Sequence, residues 1–261
     1  MHHLLPILLV CSSLLATAAN ADPTTEFCPS NANYTRGSTF QANLNVLLSS
    51  LPATAAGAST GFATNTTGSS SAEQAYGLAQ CRADVVNTSA CGACLDGSAQ
   101  DVAASKCAGQ KRATLVYDDC LLRFSNESFV GTVDYTSGPV ALVNTQNATQ
   151  AELFMAQLGS LMHNLTTKAA YGSPRMFAVG SAAVTPFASI YGMAQCTRDL
   201  GDDDCSSCLL NAVTTIPNCC SGKIGGQVIY PSCSIRFEIQ RFYNLQAAEA
   251  AMSPAPAPGE P

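Results

Sequence analysis

Tyr76-Gly-Leu-Ala-Gln-Cys81, Cys91-Gly-Ala-Cys94-Leu95, Cys107 and Cys120-Leu-Leu-Arg123-Phe124 form one run of sequence. It returns as Tyr191-Gly-Met-Ala-Gln-Cys196, Cys205-Ser-Ser-Cys208-Leu209, Cys220 and Cys233-Ser-Ile-Arg236-Phe237. The gaps between cysteines are nine, twelve and twelve residues in the first copy, and eight, eleven and twelve in the second. Two copies of one framework about 114 residues apart predict two tandem domains of one fold.

Outward from the cysteines, each copy is preceded by one helical stripe. Ser38 or Thr39 can cap a helix carrying Phe40, Leu44, Leu47, Leu48 and Leu51, with Pro52 expected to stop it. The second stripe is Phe154, Leu158, Leu161, Met162 and Leu165, with Thr149 and Glu152 as a capping box. Cys91 and Cys94 open a second helix that turns Leu95, Ser98 and Val102 inward. Its counterpart holds Cys208, Leu209, Val213 and Ile216 and is expected to end at Pro217. Thr114–Tyr117 followed by Cys120–Phe124 reads as an antiparallel pair, echoed by Gln227–Tyr230 and Cys233–Ile239. Helices gathered on one face of an antiparallel sheet make an α+β domain.

The ends are different in kind. Residues 1–21 read as a secretory signal peptide, with an apolar stretch from Leu4 to Leu15 and Ala19-Asn20-Ala21 as the cleavage site. The first domain is then 22–136, the second 137–245, and 246–261 a disordered Pro/Ala-rich tail. Removing the signal removes Cys11 from the 13 cysteines and leaves an even number in an oxidising compartment, the setting of a disulfide framework. The expected location is extracellular, in the apoplast, with no membrane anchor.

Charged residues make up 11% of the chain and the net charge is -6, with no basic cluster. Nucleic acid and anionic membrane are poor partners for such a surface. Six sequons, at Asn33, Asn65, Asn87, Asn126, Asn147 and Asn164, predict a glycoprotein.

The repeated Tyr-Gly-x-Ala-Gln-Cys, Cys-x2-Cys-Leu and Cys-x2-Arg-Phe resemble the plant ginkbilobin-homologous (stress-antifungal) domain, and the tandem arrangement resembles the cysteine-rich repeat secretory proteins. The resemblance implies two helices packed on a five-stranded antiparallel sheet in each of two disulfide-stapled domains. It also implies the pairs Cys28–Cys107, Cys81–Cys91, Cys94–Cys120, Cys196–Cys205 and Cys208–Cys233. In the loop-entropy view the bridge from Cys28 to Cys107 contributes most, ~4 kcal/mol. The second unit lacks a partner corresponding to Cys28. Its adjacent Cys219 and Cys220 either bridge each other or remain free or externally paired.

Neither catalysis nor a cofactor is expected. In an oxidising compartment the two Cys-x2-Cys motifs are staples rather than zinc or redox sites. His163 has no nucleophile marked beside it, and no carboxylate pair stands out for glycoside hydrolysis. Asp202, Asp203 and Asp204 read as a solvated loop, with weak calcium binding the lesser reading. No metal site is expected. Some ginkbilobin-type domains bind mannose through an Asn after the first cysteine, an Arg six residues before the last, and a Glu five residues after it. Those positions are Pro29, Thr114 and Ser125 in the first unit. In the second, the first is missing, Gln227 replaces the Arg, and Glu238 remains. The expected function is non-enzymatic recognition in plant defence or stress. The partner is a receptor ectodomain or other secreted protein, or a cell-wall or microbial glycan; the alternative is a mannose-binding, lectin-like antifungal protein.

Overall fold

The structure is a computed structural model that describes residues 22–29, 32–86 and 88–254. The expected signal peptide, Asn87 and the end of the Pro/Ala-rich tail lie outside the described residues. The first unit runs β1 (Thr25–Phe27), α1 (Thr39–Gly57), β2 (Phe62–Thr67), β3 (Ala75–Cys81), α2 (Ser89–Asp101), β4 (Ala113–Val116) and β5 (Cys120–Ser125). The second repeats it as β6 (Val140–Val143), α3 (Ala151–Tyr171), β7 (Phe177–Thr185), β8 (Ala188–Cys196), α4 (Asp202–Cys219), β9 (Gly226–Ile229) and β10 (Cys233–Glu238), and α5 (Leu245–Met252) follows. Each unit is a five-stranded antiparallel sheet, in the orders β1-β4-β5-β3-β2 and β6-β9-β10-β8-β7. Two helices cover one face of each.

The repeated tyrosine–glycine text lies on the inner strands β3 and β8, and the glycine has a steric reason. A Cβ on Gly77 would meet the Leu47 and Leu51 methyls at 2.7 and 2.8 Å, and one on Gly192 would meet Leu165 at 2.8 Å. The first helix of each unit therefore presses its leucines directly onto bare backbone. Phe40, Leu44, Leu47 and Leu51 are buried in one core, and Phe154, Leu158, Leu161, Met162 and Leu165 in the other.

Four local expectations change. Pro52 does not stop α1, which continues to Gly57 because Leu51, Pro52 and Ala55 are all buried against the sheet and their packing outweighs the lost hydrogen bond. Pro217 likewise lies inside α4, whose end closes through Cys220 N–H donating to Ile216 O at 2.8 Å. The Thr149–Glu152 capping box does not form, since Gln150 occupies the cap without a side-chain bond. Asp202, Asp203 and Asp204 are the first turn of α4 rather than a loop, a place where the helix dipole favours negative charge.

The tail also differs. Residues 246–252, expected to be disordered, belong to α5. Asn244 Oδ1 caps it by accepting from Ala247 N–H at 3.1 Å, and Ala248 and Ala251 are buried against Phe177, Val179, Met193 and Tyr243. Its sequence, Leu-Gln-Ala-Ala-Glu-Ala-Ala-Met, consists of strong helix formers, which a Pro/Ala composition conceals.

The faces of the two sheets turned away from α1–α4 meet. Phe27 and Val116 of one unit pack on Ile229 of the other, flanked by Leu121 and Val140. Around this contact the repeats exchange polar groups. Arg123 donates to Ser232 Oγ and to Asp134 Oδ2, both at 3.2 Å, over the ring of Phe129. Burial lowers the Arg123 pKa and Asp134 opposes that shift.

Candidate functional site

The twelve cysteines among the described residues form six bridges. In the first unit these are Cys28–Cys107, Cys81–Cys91 and Cys94–Cys120; in the second, Cys196–Cys205, Cys208–Cys233 and the adjacent pair Cys219–Cys220. Cα separations of the first five are 5.0 to 6.1 Å, within the range an unforced bridge occupies. Glu26 lies beside Cys28 and Cys107, but both sulfurs are consumed by one disulfide, which leaves a single carboxylate there.

Strand register explains why Cys220 has no distant partner, and it also corrects the sugar-site reading. Phe27 lies opposite Thr114 in the β1–β4 pair, and Leu142 opposite Gln227 in the β6–β9 pair. Thr114 and Gln227 are equivalent, so Val143 stands where the first unit has Cys28. Asn144 stands where it has Pro29. The position expected to be missing from the second unit is therefore filled by Asn144, just past the end of β6.

Asn144 meets Glu238. Its Nδ2 donates to Glu238 Oε2 at 3.0 Å, while Arg236 Nε donates to Glu238 Oε1 at 3.3 Å. Arg236 and Glu238 are two apart on β10 and share the face away from the helices. Arg236 also lies 3.8 Å from Asp118 Oδ1 in the other unit and over the ring of Phe242, 4.5 Å from its centroid. Gly225 makes room for this cluster, because a Cβ there would collide with Glu238 Oε2 and Asn144 Nδ2. The cluster separates two open depressions of about 240 and 360 Å³. Gln227 lines the smaller.

The first unit has no such site. Thr114 and Ser125 are buried, and Ser125 Oγ is spent accepting from Glu127 N–H at 3.0 Å. Arg112 occupies the position of Gly225 and pairs with Glu127 at 2.7 Å. Of the residues singled out from sequence, Gln227 and Glu238 thus come together. Asn144 was missed, and Arg236 was seen only as part of the repeat. A signal for Asn144 existed: Val143 precedes Phe154 by eleven positions, much as Cys28 precedes Phe40 by twelve.

The other candidates are scattered. His163 is exposed on α3, its Nδ1 2.9 Å from Gly159 O within the same helix. Asn33, Asn65, Asn147 and Asn164 are exposed and Asn126 is half-buried. Asn65 sits on the edge strand β2, and Asn147 accepts from Lys223 Nζ at 2.8 Å.

The family described as salt stress response/antifungal matches residues 27–127 and 142–240. An antimicrobial ginkbilobin-2-like protein of Castanea crenata is 38% identical over 231 residues, which cover 88% of this chain and 93% of that protein. Cysteine-rich repeat secretory protein 55 of Arabidopsis thaliana is 34% identical over 91% of this chain and 90% of its own length. Cysteine-rich receptor-like protein kinase 25 of the same plant is 37% identical over 93% of this chain, which spans only 36% of that kinase. Among solved structures, the tandem DUF26 ectodomain of the Arabidopsis thaliana cysteine-rich receptor-like protein PDLP8 matches with a TM-score of 0.69. It is 23% identical, over 84% of this chain and 99% of that one, a likeness of fold alone. The corresponding ectodomain of PDLP5 matches with a TM-score of 0.68 at 26% identity, over 84% of this chain and 100% of that one.

Proposed function

The chain belongs to the salt stress response/antifungal family, and on that premise we propose that it is a secreted, non-enzymatic recognition protein of plant defence that binds glycans in its second unit. The observation carrying this reading is Asn144 at the register position of Pro29, hydrogen-bonded to Glu238. Sugar hydroxyls both donate and accept, so a site for them needs acceptors and donors side by side in a shallow polar depression. Glu238 supplies two carboxylate oxygens, Asn144 a free amide oxygen, and Gln227 an amide. Arg236 fixes the carboxylate.

Binding rather than hydrolysis is supported by the carboxylate geometry. Asp118 and Glu238 line the same depression, but both turn onto one guanidinium, Arg236, at 3.8 and 3.3 Å. Glycoside hydrolysis instead requires two carboxyls facing each other across the scissile bond. The apoplast is the setting that suits the bridges and the sequons. A glycan on Asn65 would also shield the edge of the first sheet from pairing with other chains.

Mannose and mannose oligosaccharides are the first ligands to titrate calorimetrically. The expected dissociation constant is about millimolar, because Gln227 lacks the charge of an Arg, and Glu238→Ala weakens it at least about tenfold. An array on which no glycan binds would overturn the reading.

A protein partner is the second reading, and Phe187 favours it. This ring is 98% exposed at the tip of the β7–β8 hairpin, in an uncharged stretch from Phe177 to Tyr191. A protruding aromatic is the usual form of an interface anchor. Binding to a panel of apoplastic receptor ectodomains that Phe187→Ser abolishes, with glycan titration unchanged, would select this reading.

A further inference from the structure

The larger depression beside Glu238 holds a cation that the glycan reading does not use. Arg241 lines it and is exposed, with its guanidinium 5.4 Å from the centroid of the Tyr191 ring. Among the described residues it meets no carboxylate within salt-bridge distance. Tyr191 lies directly opposite Glu238 in the β8–β10 register, so the ring holds Arg241 at the strand end that carries Glu238. The wall of this depression thus holds Arg236, which Glu238 and Asp118 share, and Arg241 beside it, on a chain whose net charge is -6. The charge of Glu238 is answered by Arg236 and Asn144. That of Arg241 is answered by no carboxylate among the described residues.

We propose that this depression recognises a hexuronate, a sugar unit that carries a carboxylate, with that carboxylate on Arg241 and its ring hydroxyls at Asn144 and Glu238. The proposal rests on the glycan reading above and adds the charge of the ligand. A guanidinium stacked on an aromatic ring is weakly hydrated and already oriented, so its fork of N–H donors meets a carboxylate in the bidentate manner. Phe242 and Ile239 line the same wall and suit the apolar C–H side of a sugar ring. A neutral sugar would leave Arg241 in water. Discrimination between acidic and neutral chains therefore falls to this residue.

The test compares trimers of galacturonate and of glucuronate with their carboxyl-reduced, neutral counterparts, on the whole protein and on Arg241→Gln and Arg241→Lys. Titrations run at about 50 and about 300 mM salt, where screening separates charge from contact. The wild type should bind at least one acidic trimer about tenfold tighter than its reduced form, and salt should narrow that gap. Which trimer is preferred distinguishes the two sources of the hexuronate. Arg241→Gln should lower affinity for the acidic trimer to that of the reduced one, and Arg241→Lys should retain part of the preference. Arg241 is exposed, so an unchanged melting temperature is expected for both variants. Equal binding of acidic and neutral trimers, or a preference that survives Arg241→Gln, would overturn the proposal while leaving the glycan reading intact. Failure of both classes to bind would overturn both.

Discussion

Gln80 and Gln195, the same residue of the two repeats, exchange their side chains across the interface between the units. Gln80 Nε2 donates to Cys196 O at 2.9 Å and Gln195 Nε2 to Cys81 O at 3.3 Å. Their amide oxygens accept from Arg198 N–H at 2.9 Å and Ala83 N–H at 3.3 Å. The repeated glutamine beside each cysteine is thus the means by which one unit satisfies the backbone of the other.

This exchange has an energetic consequence. Both glutamines are buried, so Gln80→Ala leaves a carbonyl and an N–H of the second unit without partners. The expected loss is ~1–3 kcal/mol in chemical denaturation, with both units unfolding in one transition. Two separate transitions in the wild type would show that the interface does not couple the units.

The bridges should differ in their response to reductant. Cys219 and Cys220 have Cα atoms 3.8 Å apart, below the ~4.4–6.8 Å usual for a disulfide. Their bridge encloses no chain whose freedom it could restrict. Brief mild reduction followed by alkylation and mass mapping should therefore label this pair first. Labelling of Cys94 or Cys208 before Cys219 would contradict the ordering. Cys94→Ser should instead cost ~2–5 kcal/mol, because it opens a bridge between α2 and the central strand β5.

Gly225→Ala should separate binding from stability. The nearest atoms to the added methyl are the ends of the Glu238 and Asn144 side chains, which can swing away. The expected change in stability is below about 1 kcal/mol, whereas glycan affinity should fall as far as in Glu238→Ala. Unchanged glycan affinity would mean that the Asn144–Glu238 geometry plays no part in binding.

Alkaline pH should reveal Tyr117. Its hydroxyl donates to Asp101 Oδ2 at 2.8 Å, and burial first, then that bond, raises its pKa far above 10. The unfolded phenol ionises near pH ~10. The contribution is therefore fully present below that pH and is lost as pH rises from there through the folded value. Tyr117→Phe should flatten the fall in stability above pH ~10; an equally steep fall would place its origin elsewhere.

Much of the architecture was legible because cysteines and leucines carry it. The first helix of each unit follows from Phe40–Leu51 and Phe154–Leu165, and the pairing of β4 with β5 from two β-rich runs joined by the short turn at Asp118 and Asp119. The site was less legible. The strand leading to Asn144 has Val143 in place of a cysteine, so the spacing to Phe154 was its one sequence landmark, and the β6–β9 register fixed the alignment. Arg241 reaches the site through Tyr191, which lies fifty positions earlier in the chain, a relation that exists only once β8 lies against β10. The helix α5 escaped notice because its alanines merge by composition with the prolines that follow.

The most direct test of the account is an amide NMR titration of the intact protein with the tightest-binding glycan from the array. Saturable shifts should gather on Asn144, Gly225, Gly226 and Arg236–Glu238 in the second unit and vanish in Asn144→Ala. The equivalent residues Arg112, Ala113 and Ser125 of the first unit should stay unmoved. Shifts centred on the first unit's repeat positions, or shifts that persist unaltered in Asn144→Ala, would contradict the claim that the binding site is built around Asn144 and Glu238 of the second repeat.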